Sequence, residues 1–217
     1  MINNVKDLNL VISEVEKKMN EGVIDQYIVV EQWAKKALDF LGINPHSLGR
    51  EYYYSITEWV GIYCCNTPYL LHFSSDSIMS RNTSSWIDEA MEIMEKNQDI
   101  WVANPIWNGK IKQVIKESFG KKGNFYTSFG FSDQFYLIKC GLFKNKMYNE
   151  KHPTSERYPK YGGELFEKRV DSYMRNHNIK RITSNTASYI SKNFTRNTLI
   201  KSNPLLRRLY IENRKRS

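Results

Sequence analysis

The chain is poor in cysteine, with three in 217 residues, two of them adjacent (Cys64 and Cys65). That excludes a disulfide framework, and no C-x-x-C or Cys/His cluster points to zinc. A reducing cytoplasm is the expected compartment. No apolar run reaches the roughly 18 residues of a membrane span, so none is expected. Acids and lysines interrupt the N-terminal "MINNVKDLNLVISEVEKK", so no signal peptide is expected either. G-x-x-x-x-G-K and G-x-G-x-x-G are both missing, which leaves a P-loop and a dinucleotide fold without support. Internal repeats and low-complexity stretches are absent. Acids are scarce at one end of the chain. From Lys192 to Ser217 eight Lys/Arg stand against Glu212 alone, a net +7 of the chain's +9.

What is present is a folded composition. Hydrophobic residues make up 41% and aromatics 13%, enough for one substantial domain with a core. Leu8, Val11, Ile12, Val15 and Met19 recur at helical spacing, and Gly22 follows as a stop. "DQYIVVE" (25 to 31) reads as a short buried strand. "EQWAKKALDFLGI" and the aromatic "REYYYSITEWVGIYCCN" read as helices. "PYLLHFSSD" is apolar without alternation, the pattern of a buried parallel strand. "SSWIDEAMEIMEKN" predicts a serine-capped helix with Trp86, Ile87, Ala90, Ile93 and Met94 on one face. "DIWVANP" reads as a strand, and residues 108 to 124 as a polar, mobile excursion. "FYTSFGFSDQFYLIKCGLF" is strand-like, "GGELFEKRVDSYMRNHN" is helical, and "IKRITSNTASYI" predicts a last strand. Helices alternating with buried strands predict an α/β fold: a mixed, mostly parallel central sheet with helices on both faces.

The stretch "YLLHFSSDSIM" holds the main candidate site. In open α/β sheets ligands sit beyond the carboxyl ends of strands, and Asp76 falls there among Ser74, Ser75 and Ser77. A carboxylate so placed can hold a divalent cation that also binds phosphate oxygens. The same tetrapeptide also reads as a plain turn with side chain to backbone bonds. Asp133, in "GFSDQF", lies among Phe131, Phe135 and Tyr136, a setting suited to a general base. Glu164 follows Gly162 and Gly163 at a helix start, where the helix dipole favours its charge; its glycine-exposed position puts it slightly ahead. Ordinary helix-end acids are the alternative for both. Arg169, with Arg157 and Lys160, can face a diphosphate or belong to a solvated face. His72 reads as a core histidine. Trp101 and Trp107 read as core packing, with sugar stacking as the alternative.

The run "REYYYSITEWVGIYCCNTPYLLHFSSDSIM…SSWIDEAMEIMEKNQDIWVANPIW" resembles the core of GT-A fold glycosyltransferases. That family carries a helix, then T-P-Y-hydrophobic-L-H-hydrophobic-D-x-D at a strand end, then a helix and a strand leading to proline. "FSDQFYLIKCGLF" and "ERYPKYGGELFEKRV" are similar to acceptor-side segments of bacterial and viral surface-polysaccharide enzymes. The resemblance covers roughly residues 23 to 195. It implies a nucleotide-sugar donor, a glycan or lipid-linked acceptor, and Mn²⁺ or Mg²⁺ held by Asp76. It places Ser74 where the first acid of the motif stands, and Glu31 near an acid that touches base or ribose. Arg169 is the expected diphosphate contact. Two departures stand out: S-x-D replaces D-x-D, and the family's first strand is missing or trimmed, with its third missing or very short. "NLVIS" is one candidate substitute for the first.

The organisation expected is a single domain over residues 1 to 195, with a nucleotide-sugar half to about 107, an acceptor half from 108, and a basic tail over 196 to 217. The function expected is a metal-assisted glycosyltransferase in the cytoplasm. The departures give a second reading, a non-catalytic GT-A-like domain that binds carbohydrate or a partner enzyme. Leu205, Leu206, Leu209 and Tyr210 interleave with arginines in the tail, which suits an anionic membrane surface. Nucleic acid rests only on the tail's charge and has no module signature behind it.

Overall fold

The computed structural model describes residues 1–49, 52–81, 85–158, 164–191, 197, 199–200 and 203–216. Internal contacts divide the chain into two compact units, one of residues 1–68 and 140–173, the other of residues 69–139 and 174–217.

The first unit is helical. Helix α1 (Leu8–Asn20) begins where Asp7 accepts a hydrogen bond from the Leu10 amide at 3.0 Å. "NLVIS" therefore lies within a helix. Helices α2 (Val30–Leu41) and α3 (Tyr53–Cys64) pack on each other. Gly42 closes α2 in the left-handed conformation at φ 69°, which a side chain would strain. The predicted strand at 25 to 31 is corrected. Only Val29 pairs, in one parallel bridge with Ile2, and Val30 already opens α2. The pairing stops at once, because α2 begins at Val30 on one side and Asn4 turns left-handed (φ 51°) on the other. The unit's core joins Trp59 to Tyr148 and Phe166, with ring centroids 6.2 and 6.0 Å away at steep angles.

The second unit holds the sheet. Its strands are β1 (Tyr69–Phe73), β2 (Ser77–Arg81), β3 (Ile100–Trp107), β4 (Gly120–Lys122), β5 (Phe125–Ser128), β6 (Phe135–Lys139) and β7 (Lys180–Ser191). The order is β1-β6-β3-β7-β5-β4, and β2 pairs with the far half of β7. The class is α/β, but the expected mostly parallel sheet is not found. Among the described strand pairs only β3 and β7 run parallel, and the other five pairings are antiparallel. Residues 102–106 of β3 and 135–138 of β6 are buried without alternation, and burial of that kind says nothing of strand direction. Strand β1, the most apolar in the sequence, is an edge strand, with Leu71 and Phe73 exposed. Helix α4 (Trp86–Lys96) lies against β3 and β7 and buries Trp86, Ala90 and Met94 with Ile100, Phe125 and Ile182.

The segment read as an excursion is ordered. It forms α5 (Ile111–Glu117) and the β4–β5 hairpin. Its glycines set turns rather than loosen the chain: Gly109 has φ 65° and Gly123 φ 53°. Between β3 and β7 the register slips. Asn104 faces Thr183 and Ile106 faces Ser188, so two steps on β3 meet five on β7. Ser184 Oγ holds this bulge by accepting from the amides of Thr186 (3.1 Å) and Ala187 (3.2 Å). Before the bulge β7 pairs with β5, and after it with β2. Downstream, the short α6 (Cys140–Phe143) and most of α7 (Phe166–Asn176) belong to the first unit. Helix α8 (Pro204–Arg216) lies beside β2.

Candidate functional site

Strands β1, β3 and β7 point the same way, since β6 is antiparallel to β1 and β3 while β7 is parallel to β3. Their carboxyl ends share one edge of the sheet, where β6 begins. The chain leaves β1 through a tight turn in which the Ser77 amide donates to the Ser74 carbonyl (2.9 Å). The Ser74 amide donates to the Gln134 carbonyl (2.7 Å), tying the turn to the start of β6.

Asp76 is the centre of this edge. Ser74 Oγ donates to its Oδ1 at 2.6 Å, and Ser191 Oγ, at the end of β7, donates to its Oδ2 at 2.9 Å. Ser77 Oγ lies 2.9 Å from Ser74 Oγ. The bulge in β7 and the turn after β3 aim Ser191 here. Asn108 and Gly109 are both left-handed (φ 47° and 65°). The Asn108 amide donates to the Tyr189 carbonyl at 2.7 Å, and its Oδ1 accepts from the Ser191 amide at 3.1 Å. A half-buried carboxylate thus sits among three hydroxyls at the mouth of the sheet.

Asp133 precedes Gln134 and so lies at the same edge. Its backbone carbonyl bonds the His72 ring. His72 stacks on Tyr136 at 4.7 Å, and loss of water around its ring pushes its pKa down to about 4 against the pull of that bond. The imidazole is neutral at pH 7. Trp107 ends β3, and the Lys110 ammonium lies 3.8 Å over its ring.

The other sequence candidates belong to the first unit. Glu31 is exposed at the start of α2 and accepts from the Asn4 amide at 3.0 Å. Glu164 pairs with the buried Lys168 ammonium at 3.1 Å, which also meets Glu156 at 2.9 Å. Burial works against the charge on Lys168, and the two carboxylates outweigh it and raise its pKa. Arg169 is buried. Its guanidinium donates to the carbonyls of Glu164 and Tyr148, both at 2.7 Å, and to Ser47 Oγ at 2.6 Å. Arg157 lies 3.6 Å from buried Asp171. Lys160, Gly162 and Gly163 lie outside the described residues.

Sequence reasoning missed Ser191, Gln134 and Asn108 at the edge, and Glu58 in the first unit. Glu58 is buried on α3, and desolvation, with Glu167 adding repulsion, pushes its pKa up to about 8 against a backbone hydrogen bond. One acid in the aromatic run "SITEWVGIYCC" was the available signal. Ser191 had none, because it stands 115 positions from Asp76.

The donor set around Asp76 is all oxygen, the type Mg²⁺ and Mn²⁺ take. It offers one carboxylate, so phosphate oxygens of a ligand would have to supply much of the coordination. Among the described residues no group of three or more His, Cys, Asp or Glu forms a metal cluster. No family model matches the chain, and no curated protein is similar to it.

Proposed function

We propose that the protein is a glycosyltransferase that moves a sugar from a nucleotide-sugar to a glycan or lipid-linked acceptor. The observation that supports this reading best is the convergence of Ser74, Asp76, Ser77 and Ser191 at the shared carboxyl edge of β1, β3 and β7. Hydroxyls there can bond ribose or sugar hydroxyls, and Asp76 can hold a divalent cation against the donor's phosphates. That cation, when bound, would neutralise phosphate charge as the nucleotide departs.

A carboxylate must accept the acceptor hydroxyl's proton if transfer inverts the anomeric centre. Asp133 is preferred over Glu164, because its neighbour Gln134 is part of the Asp76 cluster whereas Glu164 is engaged by Lys168. Three free cysteines suit a cytoplasmic setting. The second reading, a non-catalytic sugar- or enzyme-binding domain, is favoured by one observation: both Asp76 oxygens already accept serine hydroxyls.

Thermal-shift screening against UDP-, GDP- and CMP-sugars, with and without Mn²⁺, tests the reading. Stabilisation of about 2.7 kcal/mol is expected from a donor at about 100 times its dissociation constant. Binding without turnover supports the second reading, and no stabilisation by any of them contradicts both the donor and the metal role.

A further inference from the structure

We propose that α8 docks the protein on an anionic lipid surface. The helix is well started: Asn203 Oδ1 accepts from the amides of Leu205 (2.9 Å) and Leu206 (3.2 Å), and Pro204 stands in the first turn. Its leucines are exposed along with its arginines, and only Tyr210 and Ile211 are half-buried among its described side chains. At about 100° per residue, Leu205, Leu206 and Leu209 share one arc of roughly 100°. That arc faces solvent, with Leu205 72%, Leu206 42% and Leu209 60% exposed. Roughly opposite lies Ile211, which is half-buried and lines a shallow groove with Arg207, Arg208 and Glu212. A helix beside β2 that turns its leucines outward has an uncovered apolar face.

Charge decides what covers it. The helix carries Arg207, Arg208, Arg214, Lys215 and Arg216 against Glu212, a net +4. A second copy would bring the same charge to the interface. Nucleic acid would engage the arginines and leave the leucines in water. An anionic bilayer satisfies both features, since its acyl region takes leucines and its headgroups attract the arginines. The helix is 13 residues long, which suits lying in the interface, and no described helix is long and apolar enough to cross a membrane. This inference does not depend on the glycosyltransferase reading.

The test is sedimentation of the full chain with phosphatidylcholine vesicles, alone or with about 30 mol% phosphatidylglycerol. Binding to the anionic vesicles should exceed binding to the neutral ones by about tenfold or more. It should fall as salt rises from roughly 0.1 M to roughly 0.5 M. Leu205→Ser with Leu209→Ser should weaken it about tenfold, at unchanged melting temperature and solution mass. Arg208→Gln should weaken it as well, so that the claim does not hang on one variant. Equal binding to both vesicle types, binding to neither, or parental binding by the leucine variant overturns the proposal. So does a parental dimer that the leucine variant splits into monomers, because the face is then covered by a second copy.

Discussion

Single residues carry the clearest physical consequences. Glu58 titrates from 4.5 in an unfolded chain to about 8 in the fold, because burial penalises its charged form. The sign follows from linkage. Between those values the unfolded chain has lost the proton and the folded chain keeps it, so stability falls as pH rises through the window. Each pH unit costs about 1.4 kcal/mol at most. Glu58→Gln removes the cost, and denaturant titrations from pH 5 to pH 8 should show a flatter profile and a more stable variant at the upper end. A parental slope in the variant would assign the pH dependence to another group. The same scale holds the two candidate bases. Asp133→Asn should lower sugar transfer by about 10²-fold or more with donor affinity little changed. Glu164→Gln should instead act through Lys168, which would lose that ion pair and keep the one with Glu156. Near-parental turnover in the Asp133 variant would remove it from the mechanism.

At the scale of elements, the bulge in β7 is the device that lets one strand serve two partners. Its centre is Ser184, wholly buried, with two amides donating to one hydroxyl. Ser184→Ala leaves both amides without that acceptor, and a buried unsatisfied donor costs about 1–3 kcal/mol. Denaturant midpoints of parent and variant check this, and an unchanged midpoint would mean the bulge is held by backbone pairing alone. Legibility in the sequence varied by element for physical reasons. The apolar face of α1 was readable residue by residue: Leu8, Val11, Ile12, Val15 and Met19 are its half-buried positions, and the rest of the helix is exposed. A three-turn period leaves little room for another answer. "YIVVE" was not readable, because a short β-branched run fits a strand or a helix start equally, and the paired segment at Ile2 decides. The bulge has no signature beyond a cluster of Ser, Thr and Asn in "ITSNTAS".

At the scale of the whole molecule, strand direction was the main feature hidden from the sequence. Direction depends on how connections cross the sheet, while residue burial depends only on what covers each face. The candidate site was half legible for a related reason. The turn holding Ser74 and Asp76 is local, whereas Ser191 and Gln134 arrive through pairings across the sheet. Charge was legible throughout, since the concentration of +7 in the last 26 residues needs no structure to see. Asp76 and its serine neighbours are proposed to form a donor site at the carboxyl edge. The most direct test is calorimetric titration of a nucleotide-sugar, with Mn²⁺, into the parent and Asp76→Asn. Asn keeps the shape and one acceptor oxygen but loses the charge, so the fold should persist with an unchanged circular dichroism spectrum. Binding to the parent and its loss in the variant is the predicted result; equal affinity in the two, with both folded, would contradict the claim.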